Sequence, residues 1–194
     1  MDRFCHILRQ KRQQTPEVVI ILSKSATKSL IECNPVNERI ITARLNTKPI
    51  KISIIQVYSP TNETDKAMQS EFCEILQTEI EKITQKELTI IMGDFNTKVG
   101  HDYSGFERTM GKHGCGINNE RKGGISSRLL LNSVPTQGSP LADLSITRSK
   151  DNNQIVHIAI NGKWRRSLQG MRVRRGVDVE SGHYFVTANI KLKL

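Results

Sequence analysis

Met92-Gly93-Asp94-Phe95-Asn96 places a carboxylate and an amide two residues apart, directly after an apolar run. That pair suits chemistry beside a phosphate. A carboxylate can take a proton from water, and an amide beside it can orient a phosphate oxygen. While the chain stays extended, Asp94 and Asn96 project to one side of a strand, which is the arrangement such chemistry needs. Gly-Asp-x-Asn is also what an ordinary turn after a strand prefers, so the chemical reading depends on what stands around it.

The surrounding periodicities supply a frame. Glu87-Leu88-Thr89-Ile90-Ile91-Met92 reads as a short buried strand, as do Val18 to Leu22, Ile40 to Leu45, Ile50 to Val57 and Ile155 to Ile160. Tyr184, Val186, Ala188, Ile190 and Leu192 alternate with Phe185, Thr187, Asn189, Lys191 and Lys193, the pattern of a half-buried strand. Between Asn62 and Gln85, residues Met68, Phe72, Ile75, Leu76, Ile80 and Ile83 fall at helical spacing as a core stripe, with Asn62 and Asp65 as capping residues. Strands covered by a helix make an α/β chain, in which the end of a sheet presents Asp94. Met1 to Gln14 is polar and basic and carries no strand pattern. Arg121 to Asn153 is rich in glycine and serine with little apolar periodicity and reads as loop.

With 194 residues the chain is one domain in size, and the hydrophobic fraction is 37%. Lysine and arginine number 29 against 19 acidic residues, a formal charge of +10, so phosphate-bearing partners are favoured over acidic ones. The excess gathers at Arg9 to Arg12 and at Trp164 to Arg175; a solvated basic surface is the plainer account of it. Four cysteines without a Cys-x-x-Cys pair exclude a zinc knuckle and read as reduced thiols. No apolar run has membrane-spanning length, and the basic start lacks the apolar core of a signal peptide, so an intracellular protein, nuclear or cytoplasmic and not secreted, is expected. Gly105 to His113 fails as a phosphate-binding loop, because five residues separate Gly105 from Gly111 and His113 stands where serine or threonine would hold magnesium.

Several segments occur in a telling order: Gln56-Val57-Tyr58-Ser59-Pro60-Thr61-Asn62, the helix, Gly93-Asp94-Phe95-Asn96, then Asn153-Gln154-Ile155-Val156-His157 and Asp178-Val179-Glu180-Ser181-Gly182-His183-Tyr184. In this the chain resembles the endonuclease/exonuclease/phosphatase family, and within it the endonuclease domains of RTE-type non-LTR retrotransposons and the craniofacial development protein 2-like proteins. The resemblance runs from about Val18 to Leu194 and is most specific at Asn37 to Arg44, Val57 to Asn62, Met92 to Gly100, Met110 to Gly116 and Asn161 to Arg165. It implies a DNase I-like four-layer α/β sandwich, here incomplete, missing the N-terminal strands and part of the middle. Residues 1–17 would be a basic segment outside the family domain, and 18–194 a partial domain with 121–153 degenerate.

The resemblance also implies magnesium-dependent hydrolysis of DNA. Tyr58 would approach the scissile phosphate, Asp94 would help generate hydroxide, Asn96 would orient the phosphate and His183 would contact it. Two family carboxylates are replaced, by Val156 and by Gly182. The family's front asparagine and metal-binding glutamate have no counterpart, and Glu32 and Glu38 lie in segments matching non-catalytic parts. Asp94 would be the one clear metal ligand, so Mg2+ is expected to bind weakly or not at all. The expectation is therefore the relic of a retrotransposon-derived endonuclease, inactive or strongly impaired. The rivals are an active metal-dependent endonuclease using an acid from the N-terminal segment, and a non-enzymatic nucleic-acid-binding protein. In the last, Lys163, Arg165, Arg166, Arg172, Arg174 and Arg175 would hold DNA weakly and without sequence preference.

Overall fold

The computed structural model describes residues 5–8, 18–61, 64–96, 156–174 and 185–192, with the backbone alone described at 5–8, His157, Arg165, Met171, Val173, Arg174 and Phe185. The elements run β1 (Cys5–Leu8), β2 (Ile20–Ser23), the single turn α1 (Lys24–Thr27), β3 (Leu30–Pro35), β4 (Ile40–Leu45), β5 (Ile52–Tyr58), α2 (Lys66–Glu81), β6 (Leu88–Asp94), β7 (Val156–Ile160), a 3-10 turn (Gly162–Ser167), β8 (Leu168–Arg174) and β9 (Phe185–Ile190).

A five-stranded sheet in the order β3-β4-β5-β6-β7 forms the centre, and β1-β2 and β8-β9 form two-stranded antiparallel ribbons. Within the central sheet only β5 and β6 run parallel, which requires a crossover, and α2 provides it. Alternation decides the faces. Ser53, Ile55 and Val57 of β5 are buried on the α2 side, where Phe72, Cys73, Leu76 and Ile80 pack against Ile40, Ile55, Val57, Ile91, Phe95 and Ala159. The opposite face holds Ile41, Ala43 and Leu45 against Val18, Ile20 and Leu22 of the β2 region, and Leu88, Ile90 and Ile160 against Trp164, Leu168 and Leu192. β6 is thus covered on both sides, which is why Leu88 to Ile91 is buried without a break, Thr89 included.

The helix starts where Asp65 accepts a hydrogen bond from the Ala67 N–H at 3.3 Å, so one of the two expected caps acts; Asn62 lies outside the described residues. At the far end of the sheet from Asp94, the buried Glu87 carboxylate accepts from Arg44 Nε at 3.0 Å, from Arg44 Nη2, from Ser53 Oγ at 2.8 Å and from Thr84 Oγ1 at 3.1 Å. This cluster ties β4, β5 and the turn before β6 together beneath the end of α2.

Four expectations need correction. Cys5–Leu8 is a strand paired with β2, although its sequence shows no strand pattern; pairing with a neighbouring apolar strand overrides local propensity. β3 and β8 were not expected at all: Leu-Ile-Glu-Cys-Asn-Pro does not alternate, Met-Arg-Val-Arg alternates only after the break at Gly170, and each strand is paired to a partner. Met68 is 49% exposed and not part of the core stripe, since the buried residues of α2 begin at Phe72. Ile83 packs on the core from just beyond the helix. No helix among the described residues is long and apolar enough to cross a membrane.

Candidate active site

Strand register builds a row across the end of the central sheet. Tyr58 pairs with Asp94 in the parallel β5–β6 ladder, and Asp94 pairs with Val156 in the antiparallel β6–β7 ladder. Directly paired residues stand about 4.5–5.5 Å apart at Cβ, so one phosphate group could touch the phenol and the carboxylate together. The Ser59 N–H donates to the Asp94 carbonyl at 2.8 Å and fixes the chain beyond Tyr58 against β6.

Only glycine can precede Asp94 here. Gly93 has φ of 143°, and a Cβ at this position would lie 1.9 Å from the Val57 carbonyl oxygen. Its absence lets β6 close on β5, and with that closure Asp94 comes level with Tyr58.

Asn96 does not continue the strand, contrary to the extended geometry expected for Asp94 and Asn96. Its φ is 47°, a left-handed conformation that asparagine tolerates, and its N–H donates to Asp94 Oδ1 at 2.8 Å in a tight turn. The turn swings the Asn96 amide toward β5, where Nδ2 donates to the Ser59 carbonyl at 2.6 Å. Phe95, between them, is buried in the α2-side core and anchors the turn.

Tyr58, Asp94, Asn96 and the valine at 156 are therefore brought together. Lys163 and Arg166 are not: they lie on the 3-10 turn after Ile160, and Ile160 pairs with Ile90, roughly 13 Å down the strand from Asp94 at strand rise. Lys163 Nζ sits 5.3 Å from the centroid of the Trp164 ring, and Lys163 and Arg166 are exposed. Arg165 shares that turn, Arg172 and Arg174 are on β8, and the Arg172 side chain is exposed. Arg175, Gly182 and His183 lie outside the described residues, as do 121–153 and the Gly105 to His113 segment.

The sequence reading missed Arg39. The Tyr58 N–H donates to the Arg39 carbonyl at 2.9 Å, and Arg39 Nη1 donates to the Tyr58 carbonyl at 3.5 Å. Its guanidinium carbon lies 5.2 Å from the centroid of the Tyr58 ring. Cross-strand pairing made this contact, and no local signal at Asn37-Glu38-Arg39 could have announced it.

The magnesium implied by the resemblance finds few donors among the described residues. Mg2+ wants near-octahedral oxygen ligation, whereas the flanking row positions of Asp94 are a phenol and a valine, and one Asp94 oxygen already accepts the Asn96 N–H. No group of three histidine, cysteine, aspartate or glutamate side chains that could hold a metal occurs among the described residues. Thiol chemistry is no substitute: burial, with a smaller contribution from Glu74, pushes the Cys73 thiol up to about 11, and burial raises Cys33 as well.

No family model matches the chain. Craniofacial development protein 2 of Bos taurus is 30% identical over 201 residues, an alignment that takes in 100% of this chain and 33% of that protein. The protein of the same name from Tragulus javanicus is also 30% identical over 201 residues, covering 100% of this chain and 34% of its own length. The chain thus spans about a third of the curated relatives it matches, and the similarity takes in residues 1–17, ahead of the expected start at Val18. Among solved structures, the endonuclease domain of TRAS1, a telomere-specific non-LTR retrotransposon, matches with a TM-score of 0.59 at 15% identity, over 98% of this chain and 81% of that one. Joined to the strand-end motifs at Tyr58 and Asp94, this likeness makes the fold DNase I-like, and along its whole length the chain is similar to craniofacial development protein 2.

Proposed function

We propose that the chain is a nuclease-like domain of retrotransposon origin that contacts DNA and has lost phosphodiester hydrolysis. One observation carries the reading: the residue in register with Asp94 is Val156. A carboxylate there would sit beside Asp94 and share a cation or a proton with it; an isopropyl group can do neither. Losing one positioned acid or base costs about 100-fold to 10,000-fold in rate, and such losses do not simply add. Removing negative charge from the row favours an approaching phosphate, so affinity can outlast catalysis. The charge of +10 supports the same reading, and a DNA partner fits a nuclear or cytoplasmic protein.

Incubation with supercoiled plasmid in magnesium or manganese tests the reading. The protein is expected to nick no faster than its Asp94→Ala variant. Metal-dependent nicking abolished by Asp94→Ala would establish the rival, an active endonuclease, in its place.

A further inference from the structure

We propose that Arg39 is the fourth member of the row and holds Tyr58 so that a phosphodiester docks there without a divalent cation; the inference rests on the DNA-contact reading above. β4 begins at Ile40, which pairs with Val57, so the residue before it meets Tyr58. Arg39, Tyr58, Asp94 and Val156 consequently line up across four neighbouring strands.

Tyr58 is gripped in two ways. Its backbone N–H and carbonyl both bond to Arg39, and its ring lies under the guanidinium at 5.2 Å. Arg39 is itself half-buried, with its backbone N–H held by Asn37 Oδ1 at 2.9 Å, so packing sets the guanidinium in place before any ligand arrives. The phenol is thereby pre-oriented, which lowers the entropy cost of using it.

Charge supplies the second half of the argument. A phosphodiester meeting Asp94 alone is repelled, and the repulsion is strong where solvent is partly excluded. In this row a fixed guanidinium stands on the far side of Tyr58 from Asp94, and Val156 adds no further negative charge. The row is thus neutral in sum. An arginine is a planar cationic donor whose fork suits phosphate. A cation from solution becomes unnecessary for binding, although binding alone performs no hydrolysis.

The test uses the full chain with 3-fluorotyrosine at its three tyrosines, the Tyr58 resonance being identified by Tyr58→Phe. A short DNA duplex is titrated in EDTA and again in magnesium, while anisotropy of a labelled duplex follows overall binding. Expected is a saturable shift of the Tyr58 resonance in EDTA with the same midpoint in magnesium. Arg39→Gln should weaken the midpoint read at Tyr58 roughly tenfold, the size of one charge-assisted hydrogen bond, and Arg39→Lys should recover part of it. Circular dichroism checks that each variant folds; should Arg39→Gln fail that check, Arg39→Lys and the metal comparison still decide. A shift that needs magnesium, or one that survives both Arg39 variants unchanged, overturns the proposal. Binding seen by anisotropy while Tyr58 stays silent defeats this inference and spares the DNA reading; anisotropy that detects no duplex at low salt removes both.

Discussion

Glu87 shows what a carboxylate does in this fold when its partners are present. Burial alone would raise its pKa, but hydrogen bonds from Arg44, Ser53 and Thr84, with the Arg44 charge, outweigh that and hold it below the ordinary value. A carboxyl depressed by folding stabilises the protein above its unfolded pKa, about 4.3, and the contribution drains away as pH falls through the lower folded value. Glu87→Gln should therefore cost roughly 2–3 kcal/mol at neutral pH, discounted because the Arg44 side chain is 33% exposed. Urea melts at pH 7 and in acid test this: the gap between wild type and variant should narrow in acid, and an equal gap at both pH values refutes the linkage. Asp94, at the other end of the same strand, accepts from the Asn96 N–H and stands in register with a phenol and a valine. Asp94 and Tyr58 were legible in sequence because each ends an apolar run. Arg39 and the turn at Asn96 were not, since one depends on a neighbouring strand and the other on a positive φ.

Among the elements, those that carry their own period were read correctly and those that borrow order were not. β4 falls at the same residues as its apolar run, and β5 and β6 differ from theirs only at the ends. β3 is an edge strand with a mixed burial pattern, and in β8 Gly170 breaks the phase of a short alternation, where the ladder also shifts register. The helix was located, but its inward face begins later than its apolar stripe suggests. Leu76 is 0% exposed at the centre of that face, whereas Met68 is 49% exposed. Leu76→Ala should cost about 2–5 kcal/mol and Met68→Ala well under 1 kcal/mol. Comparable losses in chemical denaturation would mean that α2 sits on the sheet in a different rotation.

For the molecule as a whole, the described basic side chains of the 3-10 turn stand apart from the row. Lys163 and Arg166 follow the end of β7 remote from Val156, and Arg172 is exposed on a separate ribbon. Non-specific DNA binding, micromolar or weaker at physiological salt, should fall steeply as salt rises. Neutralising Arg172, Arg174 and Arg175 together should flatten the slope of log affinity against log salt by about two to three units if each meets a phosphate. Anisotropy across a salt series decides it, and an unchanged slope leaves these arginines as solvated surface. The likeness to craniofacial development protein 2 reaches the whole chain, which spans about a third of those relatives' length.

The seam between the central sheet and the 3-10 turn has an optical consequence. The chain's one tryptophan is Trp164, which packs on Leu88, Ile90 and Ile160 beside Leu168, with a buried indole N–H that has no hydrogen-bond partner among the described residues. Its fluorescence is therefore a native probe of that seam and carries no signal from tryptophan elsewhere. Emission shifted to the blue reports that the turn and β8 are docked, and a move to the red dates their release. Because the Asp94 row lies at the other end of β6, ligand at the row leaves this light unchanged, and seam opening and site occupancy become separately visible in one sample.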